Sequence, residues 1–170
     1  MTSEGGAQPD AEPDQESVAR TILLGMLTGR ARTRAELTTK LRQRNVPEET
    51  AQRLLDRFEE VGLVDDANYA RSWVEQRHRG RGLARRALAA ELHRKGVPEE
   101  AATESLGAVT PEAEEQMARI LVQSRLPRVA GLSREVAMRR LVGMLARKGY
   151  SSGLALQVCG SELERSLRGE

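Results

Sequence analysis

The sequence predicts an all-α protein: a tandem array of three three-helix repeats of about 50 residues each, elongated or curved in shape. Three observations predict this class. Apolar residues recur with helical spacing through almost the whole chain, helix start and stop signals stand at matching intervals, and one stretch of sequence is copied downstream with its leucine spacing preserved. Alternating strand-like runs are absent from the sequence.

The copied stretch is the clearest of these signals. Segment 35–55 reads AELTTKLRQRNVPEETAQRLL, and segment 86–106, which lies 51 residues further on (35 to 86), reads RALAAELHRKGVPEEAATESL. A weaker third copy follows after another 53 residues (88 to 141). The leucines that keep their register are Leu37, Leu41, Leu88, Leu92, Leu141 and Leu145. The helix before each copy recurs as well, beginning near Ala19, Ala70 and Ala118. Each repeat is therefore predicted to contain three helices.

The domain boundaries follow from this repeat and from composition. We expect repeats over 17–64, 65–109 and 110–170, and neighbouring repeats should dock because a unit of about 50 residues buries little surface alone. Segment 1–16 is rich in Gly, Pro and acids and has no Lys or Arg, so we expect a disordered acidic tail. Its acidic residues are Glu4, Asp10, Glu12, Asp14 and Glu16. The remainder then holds 27 basic residues against 20 acidic ones (25 less 5), which favours a polyanion or an acidic protein surface as partner.

Helix ends are marked by residues with a physical reason to stand there. Thr33 and Glu36 form a T-x-x-E capping box, in which two backbone N–H groups at the helix start are satisfied reciprocally. Prolines stand at first-turn positions and glycines just beyond helix ends: Pro47, Pro98, Pro111, Gly96 and Gly149. These signals predict the helix boundaries of all three repeats.

Composition argues against several classes of protein. No run of about 20 apolar residues is present to span a bilayer, and the N-terminus lacks a secretory signal, so we expect a cytoplasmic protein. Cys159 lies in an apolar run, which predicts a small buried core residue. One Cys and two His supply too few ligands for a zinc site, and we expect neither metal nor cofactor.

Catalytic signatures are absent as well. The sequence has no phosphate-binding G-x-x-x-x-G-K-[ST] loop and no G-x-S-x-G elbow, and Gly80 and Gly82 lack the preceding strand that a dinucleotide site needs. Asp65 and Asp66 have no further carboxylate or His at helix-turn spacing, so we interpret them as capping residues, one or the other of which caps the helix that follows. The sequence predicts a protein that acts by binding and has no active site.

One motif lies at the start of the second repeat. Gly62 can terminate the preceding helix, while Tyr69 and Trp73 are four residues apart and therefore share a helical face that we expect to enter the core. The pattern G-L-x-D-D-x-x-Y-A-x-x-W over 62–73, followed by E-L-x-x-K-G-V over 91–97, resembles the central signature of the RecX family of RecA-recombinase modulators.

The resemblance covers roughly 17–168 and is strongest over 33–106, where E-L-x-x-K-L at 36–41 also fits the first unit of the family. It implies tandem three-helix units that bind the RecA nucleoprotein filament and inhibit its ATPase, strand-exchange and recombination activities. Asn45 stands where the other copies have Gly96 and Gly149, and Asn also tolerates the left-handed conformation.

The densest basic run is the candidate binding face for a protein partner or nucleic acid. Its cationic residues are Arg71, Arg77, Arg79, Arg81, Arg85, Arg86, Arg94 and Lys95. We expect its middle, 77–82, to be a flexible basic turn between two helices, where guanidinium groups could bind phosphates or acidic side chains. An ordinary solvated face is the alternative. Secondary basic clusters occur at Arg30, Arg32, Arg34, Lys40, Arg42 and Arg44, and at Arg139, Arg140, Arg147 and Lys148.

The leading hypothesis is a monomeric regulator that binds the RecA filament and contacts single- or double-stranded DNA through its basic face. The alternative is a sequence-independent nucleic-acid-binding helical protein, in which the helix pair 84–95 and 98–106 mimics a helix-turn-helix. A helical scaffold for an unrelated acidic partner is the third possibility.

Overall fold

The computed structural model describes residues 14–169, and over this range the chain forms nine α-helices and no strand, which confirms the all-α class. The molecule divides into two compact units, Met1–Asp66 and Ala67–Glu170. No helix in the described range is both long and apolar enough to cross a bilayer. We refer to α1–α3, α4–α6 and α7–α9, whose bounds follow, as the first, middle and third repeats.

The first repeat consists of α1 (Gln15–Leu27), α2 (Arg34–Gln43) and α3 (Glu48–Glu60) around an aliphatic core. Its buried residues include both leucines of the repeat register and the chain's one phenylalanine: Leu23, Leu37, Leu41, Leu54, Leu55 and Phe58. The capping box predicted from Thr33 and Glu36 is present in full, and the Thr33 side chain is buried.

Helix α1 begins inside the stretch predicted as the acidic tail. The Asp14 carboxylate caps the helix by accepting the backbone N–H of Glu16, and the Glu16 side chain forms an ion pair with Arg20 at 2.9 Å. Gln15 and Glu16 are therefore helical, contrary to the prediction. The rest of the predicted tail, 1–13, lies outside the described residues.

The middle repeat comprises α4 (Asp66–Arg81), α5 (Arg85–Arg94) and α6 (Glu99–Leu106). The third comprises α7 (Pro111–Val129), α8 (Arg134–Arg147) and α9 (Ser152–Arg168). Each has its own buried cluster, and the register leucines of both repeats are at most 1% exposed. Because the same leucine spacing fills each core, helix packing follows the sequence repeat.

The turn after the second helix of each repeat has the predicted left-handed residue. Asn45 has φ of 57°, Gly96 has 70° and Gly149 has 94°. The prediction that Asn45 substitutes for glycine is confirmed, since Asn is among the few residues that enter this region readily.

Within the second unit, the end of α8 packs against the end of α4. The Ala84 N–H donates to the Lys148 carbonyl at 2.9 Å, and the Tyr150 hydroxyl donates to the Gly82 carbonyl at 2.9 Å. Residues 77–81 are helical, so the flexible basic turn predicted over 77–82 is wrong. Gly80 is accommodated in the last turn of α4, and Gly82, at φ 64°, ends it.

Candidate binding surfaces of the repeats

The eight cationic residues of the predicted binding face divide into two groups. Four are exposed and form no ion pair or side-chain hydrogen bond within residues 14–169: Arg71, Arg81, Arg86 and Arg94. The other four make contacts inside the second unit: Arg77, Arg79, Arg85 and Lys95. The first four are therefore the cationic residues of this surface that have no side-chain partner within the described part of the chain.

Trp73 contacts two residues of the second group, Arg77 and Lys95. Its indole Nε1 donates to Glu91 Oε2 at 2.8 Å, and its ring stacks on Tyr69 with 5.7 Å between centroids. The Arg77 guanidinium carbon lies 4.2 Å from the Trp73 ring centroid, and the Lys95 ammonium lies 5.2 Å from it. Tyr69 is buried as predicted, whereas Trp73 is half-buried at the edge of the middle core. Arg77 and Lys95 are thus used within the protein.

Arg85 makes one contact within the middle repeat, through its side chain, and one with the third repeat, through its backbone. Its guanidinium donates to the Leu106 carbonyl at 2.7 Å, and its backbone N–H donates to Glu114 Oε1 at 2.7 Å. Arg79 forms an i,i+4 pair with Glu75 at 2.8 Å, but both side chains are well exposed. Arg79 therefore remains accessible to a partner, while Arg85 has a structural role.

One of the paired aspartates, Asp66, makes a contact that the sequence did not predict. Asp66 is the first residue of α4, yet its carboxylate accepts the backbone N–H of Arg34, at the start of α2, at 2.9 Å. Burial raises the pKa of Asp66, only partly opposed by this hydrogen bond. Asp66 therefore caps α2, within the first unit. Of the two predicted caps, Asp65 is the one that directly precedes α4.

A groove of about 480 Å³ lies between α7 and α8 of the third repeat, and it gathers cationic side chains that have no counter-ion within residues 14–169. Its rim has five arginines, Arg125, Arg128, Arg139, Arg140 and Arg147, and its floor has Val129, Leu141 and Met144. No acidic side chain lines it. Arg125 and Arg128 were missed in the sequence, although their i,i+3 spacing on one helix was a usable signal.

The groove between α1 and α2 of the first repeat, of about 570 Å³, is also basic. Arg30, Arg32, Lys40 and Arg44 line it, and the Arg32 Nε–H is buried without a hydrogen-bond partner among the described residues. Arg34, which belongs to the same predicted cluster, instead forms ion pairs with Asp56 and Glu59, each at 2.7 Å. The structure thus separates Arg34 from the cationic residues that line this groove.

A different face of the third repeat holds arginines that are fully neutralised. Glu162, 2% exposed, accepts from Arg119 and Arg165, each at 2.9 Å, and from Gln123 at 2.9 Å. Burial alone would raise the pKa of the Glu162 carboxyl, but these hydrogen bonds and the two positive charges hold it below its usual value. Arginines on this face stabilise α7 against α9.

Cys159 is fully buried in the third core, as predicted, and burial raises the pKa of its thiol to about 11. His78 lies with Nδ1 2.8 Å from the Leu83 carbonyl. Within residues 14–169, no group of three or more His, Cys, Asp or Glu is arranged to hold a metal ion.

Known proteins share both the sequence and this fold. Family models described as the first and second three-helix domains of RecX match residues 19–58 and 65–106. The chain is 51% identical over 160 residues to the regulatory protein RecX of Thermobifida fusca, covering 94% of this chain and 85% of the relative. It is 50% identical to that of Streptomyces coelicolor, covering 92% and 82%. The crystal structure of RecX from Lactobacillus salivarius shares the fold with a TM-score of 0.79 at 22% identity, covering 90% of this chain and 99% of that one. The chain belongs to the RecX family.

Proposed function

We propose that this protein is a non-enzymatic regulator that binds the RecA recombinase filament as a monomer in the cytoplasm. In this role it inhibits the ATPase, strand-exchange and recombination activities of the filament. The observation that carries the proposal is membership of a family whose curated members are regulatory proteins, at about half identity over nearly the whole chain. The repeated helical scaffold supports it, since successive units can contact successive protomers of a filament.

The exposed cationic residues of the middle repeat are the proposed contact surface. Arg71, Arg81, Arg86 and Arg94 have no internal partner in the described range, so binding them to an acidic surface breaks no interaction within the protein. Guanidinium groups can pair with carboxylates through two parallel hydrogen bonds. Several modest contacts along a filament add through effective concentration, which favours the assembled filament over free recombinase.

The test is the DNA-dependent ATPase rate of the cognate recombinase, titrated with this protein at fixed single-stranded DNA. We expect suppression at amounts well below one molecule per recombinase protomer. The variant Arg81→Glu/Arg86→Glu/Arg94→Glu should require at least about tenfold more protein for the same suppression, because three favourable interactions become repulsive. Arg85 is left intact because its replacement would remove the hydrogen bond that its guanidinium donates to the Leu106 carbonyl at the end of α6.

The control is Arg42→Glu/Arg53→Glu/Arg57→Glu, which changes the net charge equally at exposed positions of the first repeat. These arginines form only long, solvent-exposed ion pairs, at 3.6 to 3.8 Å. It should inhibit nearly as well as the unmodified protein. Equal loss in both variants would reduce the effect to net charge. Suppression only when the protein is abundant enough to coat the DNA would replace the filament-directed role with plain nucleic-acid binding.

A further inference from the structure

The groove between the first and second helices occupies an equivalent position in each repeat. The alanines that begin the repeated helix, Ala19, Ala70 and Ala118, are all fully buried, and so are their partners in register Leu37, Leu88 and Leu141, each at most 1% exposed. These anchors set a correspondence between repeats. Lys40 of the first repeat matches Glu91 of the middle and Met144 of the third, while Ile22 matches Trp73.

In the middle repeat the groove is occupied by the protein's own side chains. Trp73 fills the position of Ile22, and the carboxylate of Glu91 lies against the indole, 3.8 Å from Arg77 Nε. The Lys95 ammonium lies close to the same indole ring. The cations here are therefore balanced by a carboxylate and an aromatic face.

In the third repeat the same position lacks both the aromatic ring and the carboxylate. Met144 stands where Glu91 would be, and the five arginines around it form no ion pair or side-chain hydrogen bond within residues 14–169. Like charges gathered around a concave surface repel one another and raise the local positive potential. Such a groove is stabilised by an anion that arrives from outside the protein.

The first repeat has the same property at the same place. Lys40 replaces the carboxylate, and Arg32 holds a buried N–H group with no acceptor among residues 14–169. A buried donor without an acceptor costs free energy, and a negative charge bound beside the Arg32 guanidinium would offset part of that cost. The grooves of the first and third repeats are thus open and cationic, while the groove of the middle repeat is filled.

We propose that the open grooves of the first and third repeats each bind the phosphodiester backbone of single-stranded nucleic acid. Guanidinium forks match the oxygens of a phosphate. A phosphodiester chain presents the same charge at every nucleotide. The two grooves can therefore bind it in the same way, whichever nucleotides lie in them. An acidic peptide would need carboxylates at matching positions.

The groove floors favour a single strand over a duplex. Leu141, Met144 and Val129 form an apolar strip beneath the arginines, on which an unpaired base or sugar can rest while the phosphates reach the rim. In a duplex the bases are stacked inside and only phosphates reach such a surface. We expect binding that ignores sequence and weakens steeply with salt.

The first experiment exploits the correspondence between Met144 and Glu91. Met144→Glu places a carboxylate among the five arginines, as Glu91 stands in the middle repeat, and Met144→Gln has the same shape without the charge. Binding of fluorescein-labelled oligothymidylate is measured by anisotropy with the full-length protein and no recombinase present. We expect Met144→Glu to bind at least about tenfold more weakly than Met144→Gln. Equal affinities of these two variants would overturn the proposal for the third repeat.

A second experiment compares two double variants, each of which removes two positive charges and adds no negative charge. Arg139→Gln/Arg140→Gln should weaken binding and lower the slope of log affinity against log salt by about 1.4, which is about 0.7 for each phosphate of a single strand that is no longer neutralised. Its control, Arg134→Gln/Arg165→Gln, removes two arginines of the same repeat that are already paired with Glu164 and Glu162. An equal decrease in slope for both pairs would overturn the site, because any surface charge would then suffice.

The first repeat is tested in the same way with Lys40→Glu against Lys40→Gln, and we expect the Glu variant to bind more weakly. Unlabelled poly-glutamate and duplex DNA serve as competitors at equal charge concentration. Competition by poly-glutamate as strong as by oligothymidylate would replace nucleic acid with an acidic peptide. Stronger competition by duplex would exclude the single strand as the preferred ligand. Because recombinase is absent, these outcomes are independent of the regulatory function proposed above.

Discussion

The middle and third repeats share a scaffold and differ in what they leave available to a partner. Both bury their register leucines at the same positions, yet the groove between the first two helices is filled by Trp73 and Glu91 in the middle repeat and open around Met144 in the third. The middle repeat holds the denser basic run in the sequence. The third holds the larger set of cations gathered around one concave surface without a counter-charge.

A segment with many basic residues does not always leave them free to bind a partner. Half of the basic run of the middle repeat is engaged within the second unit, through a carbonyl, a carboxylate or an aromatic ring. In the third repeat the carboxylates lie on a different face, where Glu162 neutralises Arg119 and Arg165. Segregation of the acidic partners therefore creates the open groove.

The largest loss of stability is expected from a substitution in the filled groove of the middle repeat. Glu91→Lys gives the middle repeat the cation that the first repeat has at this position, so the Trp73 N–H loses its acceptor and a positive charge joins Arg77 and Lys95. The cost should be about 2 to 4 kcal/mol, since a partly buried donor is stranded and an attraction becomes a repulsion. Urea unfolding followed by the fluorescence of Trp73, the single tryptophan of the chain, measures it.

Glu91→Gln is the control for that measurement, because the amide oxygen still accepts from the indole. It should cost less than about 1.5 kcal/mol. If Glu91→Lys were as stable as the unmodified protein, the filled groove of the middle repeat would be incidental to folding. The contrast with the open groove would then lose its physical basis.

The fold could be predicted from the sequence because it depends on local rules that repeat. Leucine spacing, the Thr33 capping box and the left-handed residue after each second helix are set within a few residues of one another, and all are confirmed. The helical end of α4 was missed because Gly80 and Gly82 were interpreted together as a turn. Only Gly82 ends the helix, where it packs beneath the side chain of Leu121 from α7.

The candidate site was predictable only in part, because pairing between distant segments decides which cations remain free. Arg85 binds a carbonyl 21 residues away and Arg34 binds carboxylates 22 and 25 residues away, and no local pattern reveals either. The groove of the third repeat joins arginines from two helices. The sequence cluster on α8 was noted, but its partners on α7 are found only when the helices pack.

A smaller loss of stability is expected from a substitution of Glu162, which pairs with two arginines on another face of the third repeat. Glu162→Gln keeps the shape of a buried side chain and removes the charge that Arg119 and Arg165 pair with. We expect a loss of about 2 kcal/mol at neutral pH, less than for a fully buried pair because both arginines are partly exposed. Arg139→Gln/Arg140→Gln, on the unpaired groove, should change stability by less than about 0.5 kcal/mol.

The pH dependence of that loss follows from the lowered pKa of Glu162. A carboxyl whose pKa is lower in the folded state than in the unfolded state stabilises the fold above its ordinary pKa of about 4.3, and this stabilisation disappears as pH falls through the lower folded pKa. The difference in unfolding free energy between the unmodified protein and Glu162→Gln should be constant from about pH 7 to about pH 5 and shrink below about pH 4. A difference that persists unchanged in acid would assign the cost to packing.

The smallest effect is expected at Asp66, and it has the opposite sign. Burial raises the pKa of this carboxyl, so the folded protein binds its proton more tightly than the unfolded chain does. Its charge therefore destabilises the fold at neutral pH, and this penalty is absent below the ordinary pKa of about 4. Asp66→Asn keeps an oxygen to accept the Arg34 N–H and removes the charge.

We expect Asp66→Asn to be more stable than the unmodified protein by less than about 1 kcal/mol at about pH 7, with the gain vanishing below about pH 3. Thermal unfolding at both pH values measures it, with Glu60→Gln, an exposed carboxyl on α3, as the control. A loss of stability at neutral pH would mean that the negative charge of Asp66 strengthens its hydrogen bond with the Arg34 N–H by more than the burial of that charge costs. Asp66 would then resemble Glu162, and the two carboxylates would respond to pH in the same direction.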